Sequence, residues 1–217
     1  MHQKMIAPSL FAGNHSNLLA GLNTIAESGA GIVHLDIMDG HLVPNLSFGP
    51  ETVAELRARS DLFFDSHLML MNPGNFVKKF IDAGSDRLTI HAECSGNIRS
   101  IFDDIKAANR RIGLAINPET AVDEIVNYLD QVDVVVVMSV WPGFCGQKFK
   151  PSTISKVEHL AAFRKINDLK YLIEVDGGIN GANSHVCYGA GADILVVGTS
   201  FFEAENKRCF IKNMKVI

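Results

Sequence analysis

His34, Asp36 and Met38 occupy every second position of the run His34-Leu35-Asp36-Ile37-Met38-Asp39-Gly40. In an extended strand, alternate side chains share a face, so these three point one way and Leu35 and Ile37 point the other. The run Asp65-Ser66-His67-Leu68-Met69 repeats the arrangement, with Asp65, His67 and Met69 on one face and Ser66 and Leu68 on the opposite one. A third segment, Tyr171-Leu172-Ile173-Glu174-Val175-Asp176, ends in a carboxylate before Gly177-Gly178. In one closed sheet, His34, Asp36, His67 and Asp176 would converge near the C-terminal rim. Two imidazoles and two carboxylates suit one divalent metal ion such as zinc, iron(II) or manganese. For any one of these residues a buried His–Asp pairing without metal is the plainer account. Four of them at strand ends, all with inward parity, favour the metal, because unpaired polar groups in an apolar interior are costly.

Three glycine-containing loops lie downstream: Trp141-Pro142-Gly143-Phe144-Cys145-Gly146-Gln147, Asp176-Gly177-Gly178 and Gly198-Thr199-Ser200. Glycines let backbone N–H groups approach an anion, and a helix N-terminus adds partial positive charge. Each loop alone could be a tight turn; three around one rim point to a phosphate site.

Alternating elements must position these residues. Short β-rich segments fall at about 5–9, 32–38, 62–69, 87–91, 111–116, 132–138, 171–176 and 193–197, with longer amphipathic stretches between them. One such stretch, 17–28, carries Leu18, Leu19, Leu22, Ile25 and Ala26 at helical spacing. Three helical stretches end alike, in Glu27-Ser28-Gly29-Ala30, Asp82-Ala83-Gly84-Ser85 and Tyr188-Gly189-Ala190-Gly191-Ala192-Asp193, where a glycine just past the helix is expected to supply a left-handed cap. Eight βα units of about 27 residues predict a single (β/α)8 TIM barrel spanning 1–217. A doubly wound sheet would call for a Gly-x-Gly-x-x-Gly turn after the first strand, where Ser9-Leu10-Phe11-Ala12-Gly13 stands instead.

Composition narrows the class. A chain of 217 residues with 47% apolar and 20% charged residues can bury one sizeable core. A formal charge of −4 argues against nucleic acid or an anionic membrane as partner. No stretch approaches the ~20 uninterrupted apolar residues of a membrane helix. The start, Met1-His2-Gln3-Lys4, has no apolar h-region, which predicts a cytoplasmic location. Cys94, Cys145, Cys187 and Cys209 are scattered without CxxC spacing, so reduced thiols are expected. His41 and His91 are read as rim or loop histidines.

At these residues the sequence resembles the ribulose-phosphate 3-epimerase family. The matching segments are Ala7-Pro8-Ser9-Leu10, His34-Leu35-Asp36-Ile37-Met38-Asp39-Gly40-His41 with Val43-Pro44-Asn45, and His67-Leu68-Met69. Asn117-Pro118, Met138-Ser139-Val140, Pro142-Gly143-Phe144 with Gly146-Gln147, Asp176-Gly177-Gly178-Ile179-Asn180 and Gly198-Thr199-Ser200 follow in family order. The resemblance implies a metal held by His34, Asp36, His67 and Asp176, with Asp36 and Asp176 also the acid/base pair. It implies that Ser9 contacts substrate, as does His67, and that Met38, Met69 and Met138 flank the reacting carbons. Gly143, Phe144, Cys145, Gly146, Gly177, Gly178, Gly198 and Thr199 fall in its phosphate-binding loops. Three positions depart from the usual pattern: Cys145 stands in place of glycine, Trp141 in place of a smaller or polar residue, and Leu42 in place of a frequent phenylalanine. Cys145 would strain its loop if that position needs φ > 0.

The implied reaction is 3-epimerisation of a ketose phosphate, D-ribulose 5-phosphate to D-xylulose 5-phosphate, as in the pentose phosphate steps of carbohydrate metabolism, by a homo-oligomeric isomerase. Inverting a carbon beside a ketone removes its proton and returns one to the opposite face. Two carboxylates, one ionised and one protonated, would serve as base and acid, while a metal would stabilise the enediolate. A hexulose 6-phosphate such as allulose 6-phosphate is the alternative substrate, and a non-catalytic phosphate-binding barrel the alternative of another class. A decarboxylase of the orotidine-phosphate group would need a lysine in an Asp-x-Lys-x-x-Asp pattern, and the strand reads Asp36-Ile37-Met38-Asp39.

Overall fold

The structure, a computed structural model, describes residues 4–215. Met1–Gln3, Val216 and Ile217, which the expected 1–217 domain and the reading of the N-terminal start include, lie outside the described residues. Eight strands alternate with helices: β1 (Met5–Pro8), α1 (Leu18–Glu27), β2 (Ile32–Met38), α2 (Pro50–Arg57), β3 (Phe63–Met69), α3 (Val77–Asp82), β4 (Arg87–His91) and α4 (Ile98–Ala107). The second half runs β5 (Arg111–Ile116), β6 (Val134–Met138), α5 (Ile154–Ile166), β7 (Leu172–Asp176), α6 (Ser184–Ala190), β8 (Ile194–Val197), α7 (Thr199–Glu203) and α8 (Lys207–Lys215).

All eight strands are parallel, in the order β1-β8-β7-β6-β5-β4-β3-β2. A single bridge between Ser9 and His34 brings β1 alongside β2, so the sheet is a nearly closed (β/α)8 barrel. The eight expected strands are all present, shifted by at most two residues at an end. Gly29, Gly84 and Gly191 take positive φ beyond their helices, as a left-handed cap requires.

The fifth connection differs from expectation. Among the described residues, the path from β5 to β6 holds two short 3-10 turns, Val122–Glu124 and Val126–Tyr128, and no α-helix. Its apolar residues explain this: Val122, Ile125 and Tyr128 recur every third position, the repeat of a 3-10 turn, and Val122 and Ile125 are buried.

Alternation sorts the strand residues as anticipated. Val33, Leu35, Ile37, Leu68, Val135, Val137, Ile173 and Val175 join the large cluster under the helices. Ala7, Ala115, Val134, Val136, Met138, Ile194 and Val196 pack together inside the barrel. That apolar filling covers only one side of the interior. On the other side β2, β3, β4 and β7 send in His34, Asp65, His67, Arg87, His91 and Glu174, each buried. The Arg87 guanidinium answers the negative charge there: Nε and Nη2 donate to Asp65 Oδ1 and Oδ2 at 2.7 and 2.6 Å, and Nη2 also donates to Glu174.

Candidate active site

The register of the parallel strands decides which side chains meet. β2 pairs with β3 so that His34 lies opposite Asp65, Asp36 opposite His67 and Met38 opposite Met69. Pairing of β6 with β7 sets Met138 opposite Asp176. The tilted barrel then brings Asp176 to the other two strands. His34 Nε2 lies 3.2 Å from His67 Nδ1, 3.5 Å from Asp36 Oδ1 and 3.8 Å from Asp176 Oδ2. His67 Nδ1 lies 3.5 Å from Asp36 Oδ1 and 3.6 Å from Asp176 Oδ2.

This spacing fits a cation. Donors ~2.1 Å from a metal centre sit roughly 3.0–3.5 Å from their neighbours in octahedral or tetrahedral arrangement. One atom from each of the four residues falls within 4.8 Å of every other. Nitrogen and oxygen donors in equal number suit a divalent transition ion.

Two separate hydrogen-bond systems hold the imidazoles. His34 Nδ1 donates to Asp65 Oδ2 at 2.7 Å, and Asp65 is itself clamped by Arg87. His67 Nε2 lies 2.8 Å from Nε2 of His91. The reading of His91 as a rim or loop histidine is therefore corrected: it ends β4, is fully buried and touches His67. β4 carries its inward residues at Arg87, Thr89 and His91, and that parity points the ring at its neighbour. His41 is a rim histidine, its side chain 75% exposed.

Burial alone would push the Asp36 carboxyl up, but the adjacent charge of His34 and the His34 and His67 imidazoles beside it hold it well below the usual carboxylate range. Asp176 goes the other way. Burial, opposed by His34 and reinforced by the charges of Asp36, Glu174 and Asp65, pushes it up to about 7. The His34 imidazole resists its own burial because Asp36 and Asp65 stabilise the cation, which raises its pKa well above the ordinary value. Burial, countered by a hydrogen bond to Glu93, pushes the His91 imidazole down.

Above this cluster opens a cleft of about 390 Å³, small-sugar sized, whose floor includes Asp36 and Asp176. His34 and His67 lie beneath it, fully buried. Met38, Met69 and Met138 line its walls together with Ser9, whose hydroxyl donates to Asp36 Oδ2. Leu42 and Phe11 pack against Met38, Val43 and Met69, and Phe11 also lines the cleft.

The opposite wall is made of the three glycine loops, and all of Gly143, Phe144, Cys145, Gly146, Gly177, Gly178, Gly198 and Thr199 line it. Side chains fasten these loops by their carbonyls. Ser139 donates to the carbonyls of Asp176 and Gly177 at 2.9 and 2.6 Å, Asn183 to that of Gly178 at 2.9 Å, and Ser200 to that of Ile179 at 2.7 Å. Gln147 closes its own loop onto the carbonyls of Trp141 and Phe144, and Asn45 ties Gly143 to the loop after β2. Gly178 tolerates no side chain: its φ is +63°, and a Cβ would lie 2.4 Å from the Phe149 backbone nitrogen. The strain anticipated at Cys145 does not arise, since Gly143 and Gly146 on either side take the positive φ and Cys145 does not. Trp141 lines the cleft half-exposed, with Lys150 Nζ 5.4 Å from its ring centroid.

Three residues in the site escaped the sequence reading of chemistry: Arg87 and Glu174, which received no role, and Asp65, noted only for its face. The signal was available, because Glu174 shares inward parity with Asp176 and Arg87 with His91. What strand parity cannot supply is partnership across the barrel. The four cysteines are all free thiols, as anticipated. No helix among the described residues is long and apolar enough to cross a membrane.

Comparison with known proteins bears on the same chain. Residues 5–202 match the model of the ribulose-phosphate 3 epimerase family. A ribulose-phosphate 3-epimerase of Chlamydia muridarum is 41% identical over 204 residues, 93% of this chain and 90% of that protein. One from Aquifex aeolicus is 36% identical over 212 residues, 98% of this chain and 96% of that protein. Among solved structures, 3-hexulose-6-phosphate synthase from Salmonella typhimurium superposes with a TM-score of 0.71, covering 99% of this chain and 97% of its own, at 14% identity. That likeness concerns the barrel alone.

Proposed function

The chain belongs to the ribulose-phosphate 3-epimerase family and is an epimerase of the isomerase class; from that premise we propose that it interconverts D-ribulose 5-phosphate and D-xylulose 5-phosphate. One observation carries the reading. Two carboxyls of opposed proton affinity share the floor of a small cleft with two buried imidazole nitrogens.

Asp36 and Asp176 reach the floor from β2 and β7, with β1 and β8 between them around the ring. One approaches the C3 hydrogen of the ketose and the other the opposite face of the same carbon. The ionised carboxylate accepts the C3 proton on an Oδ atom, and the protonated carboxyl returns one to the far face; the reverse reaction exchanges the roles. Which of the two begins as base follows from the handedness of the substrate. A divalent ion held by His34, Asp36, His67 and Asp176, of zinc, iron(II) or manganese type, supplies when bound Lewis-acid stabilisation of negative charge on adjacent substrate oxygens. Met38, Met69 and Met138 offer walls without hydrogen-bond donors, which shield a planar enediolate from protonation by water. Ser9 holds Asp36 through its hydroxyl and faces the substrate.

Among the described residues, no lysine or arginine lines the cleft. Phosphate binding accordingly falls to backbone N–H groups at Gly143–Gly146, Gly177, Gly178, Gly198 and Thr199, whose neighbouring carbonyls are engaged elsewhere. Cytoplasmic location, a homo-oligomeric assembly and a single domain over the whole chain complete the proposal.

Incubation with ribulose 5-phosphate in D2O tests it. Deuterium is expected at C3 together with xylulose 5-phosphate, and chelator treatment should abolish both. A higher kcat/KM for allulose 6-phosphate would move the assignment to a hexulose phosphate. Absence of C3 exchange with either substrate would leave a non-catalytic barrel.

Metal uptake should depend on pH in a defined direction. His34 is held protonated by its carboxylate neighbours and Asp176 titrates at about 7, so binding must expel protons from both. Protons compete more strongly as pH falls. Affinity for zinc is expected to drop at least about tenfold between pH 8 and pH 6. Competition against a chromophoric chelator measures it; a pH-independent affinity would contradict the proton accounting.

A further inference from the structure

His91 and Glu93 belong to neither the cleft nor the four-residue cluster, yet they join His67 to the backbone of a distant loop. Glu93 Oε1 accepts from the Asn117 N–H at 2.8 Å and from the Thr120 hydroxyl. Its Oε2 lies 3.1 Å from His91 Nδ1, and His91 Nε2 lies 2.8 Å from His67 Nε2. The two rings are nearly coplanar, 13° apart, with centroids separated by 5.0 Å. With nitrogens this close, they meet edge to edge along a hydrogen bond rather than face to face. Lys156 of α5 braces the far end by donating to the carbonyls of Asn117 and Thr120.

Donor and acceptor roles along this chain are forced from its outer end. The Asn117 N–H can only donate, and an ionised Glu93 can only accept. His91 Nδ1 must therefore carry the proton that faces Oε2. In a neutral ring this leaves His91 Nε2 as a bare acceptor. His67 Nε2 must then donate to it, and the lone pair of His67 is left on Nδ1, the atom that faces His34, Asp36 and Asp176. We infer that His91 and Glu93 are positioning residues, which hold His67 in the one tautomer able to ligate a metal through Nδ1. The inference rests on the metal reading of the four-residue cluster. It adds a carboxylate–imidazole–imidazole relay on the His67 side, independent of the Asp65–Arg87 pair that orients His34.

Glu93→Gln tests the relay with almost no change of shape. The amide oxygen must stay with the fixed Asn117 N–H, so the amide NH2 turns to His91 Nδ1 and donates. His91 then protonates at Nε2 and His67 must accept there, which moves the proton of His67 to Nδ1 and blocks the ligand atom. The opposite amide orientation would set NH2 against the Asn117 N–H, donor against donor.

The probe is cobalt(II) alone, read by its d–d absorption in the metal-free full-length protein. Affinity for E93Q is expected to fall about 10–100-fold, the usual cost of losing such a support, while thermal unfolding stays close to the parent's. A merely structural role for Glu93 would leave cobalt affinity unmoved, and E93Q binding within threefold of the parent overturns the inference. Should E93Q not fold, His91→Leu and His91→Gln decide. Leucine removes the acceptor and should lose affinity, whereas glutamine offers an oxygen to His67 and an N–H to Glu93 and should recover most of it; equal affinities in the two overturn the relay. A parent protein that takes up no cobalt overturns the metal reading and this inference together, an outcome distinct from a parent that binds and an E93Q that binds equally.

Discussion

Asp176→Asn should lower the rate of epimerisation by about 10²–10⁴-fold, the span of a lost general acid or base. The amide nearly matches the carboxyl in size, so the cleft and its glycine loops should persist, but it can neither take the C3 proton nor return one. Asp36 remains, ionised and hydrogen-bonded by Ser9. One of the two epimers should consequently still exchange its C3 hydrogen with D2O without inverting, because one carboxylate can remove and restore a proton on a single face. Exchange with neither epimer would mean that both carboxyls act together on every proton. Asp176 is also one of the four clustered donors. Metal content measured on the same preparation separates loss of a proton carrier from loss of a ligand. Epimerisation within tenfold of the parent would sink the two-carboxylate scheme.

The second large effect concerns stability. Arg87→Met keeps the length and apolar stem of the side chain but deletes the guanidinium that bridges Asp65 and Glu174 across the barrel, leaving His34 as their cationic neighbour. Both carboxyls are fully buried, and Glu174 Oε1 already lacks a hydrogen-bond partner. Breaking a buried ion pair on one side typically costs about 3–5 kcal/mol, a large share of the ~5–15 kcal/mol that holds a domain folded. Urea unfolding should show a lower midpoint at unchanged slope. Adding Glu174→Gln to the variant should recover part of the loss. A destabilisation under about 1 kcal/mol would show that the interior charges are compensated in some other way.

The same cluster carries a pH signature. Burial opposes ionisation of Asp65, but Arg87 and His34 hold its carboxyl well below the usual range. A depressed folded-state pKa contributes stability above the unfolded value, about 3.9 for aspartate, and that contribution fades as pH falls below it. The parent should therefore lose stability on acidification below about pH 4 more steeply than Arg87→Met, which has already lost the favourable partner.

The sequence by itself determined the repeating βα pattern, the inward parity of His34, Asp36, His67 and Asp176, and the glycine loops along one rim. These are local properties: a side-chain period of two and the backbone freedom of glycine need only neighbouring residues to be read. Tertiary structure decided the rest. That Arg87 answers Asp65 and Glu174, and that His91 rather than a carboxylate supports His67, depends on which strands stand side by side and with what shift. The fifth connection became two 3-10 turns because the spacing of Val122, Ile125 and Tyr128 suited the surface it covers. Alternation tells which residues enter the barrel, but His34 meets Asp65 at 2.7 Å and His67 at 3.2 Å, and Arg87 meets Glu174 from 87 residues away, and only closure of the sheet sets such partnerships.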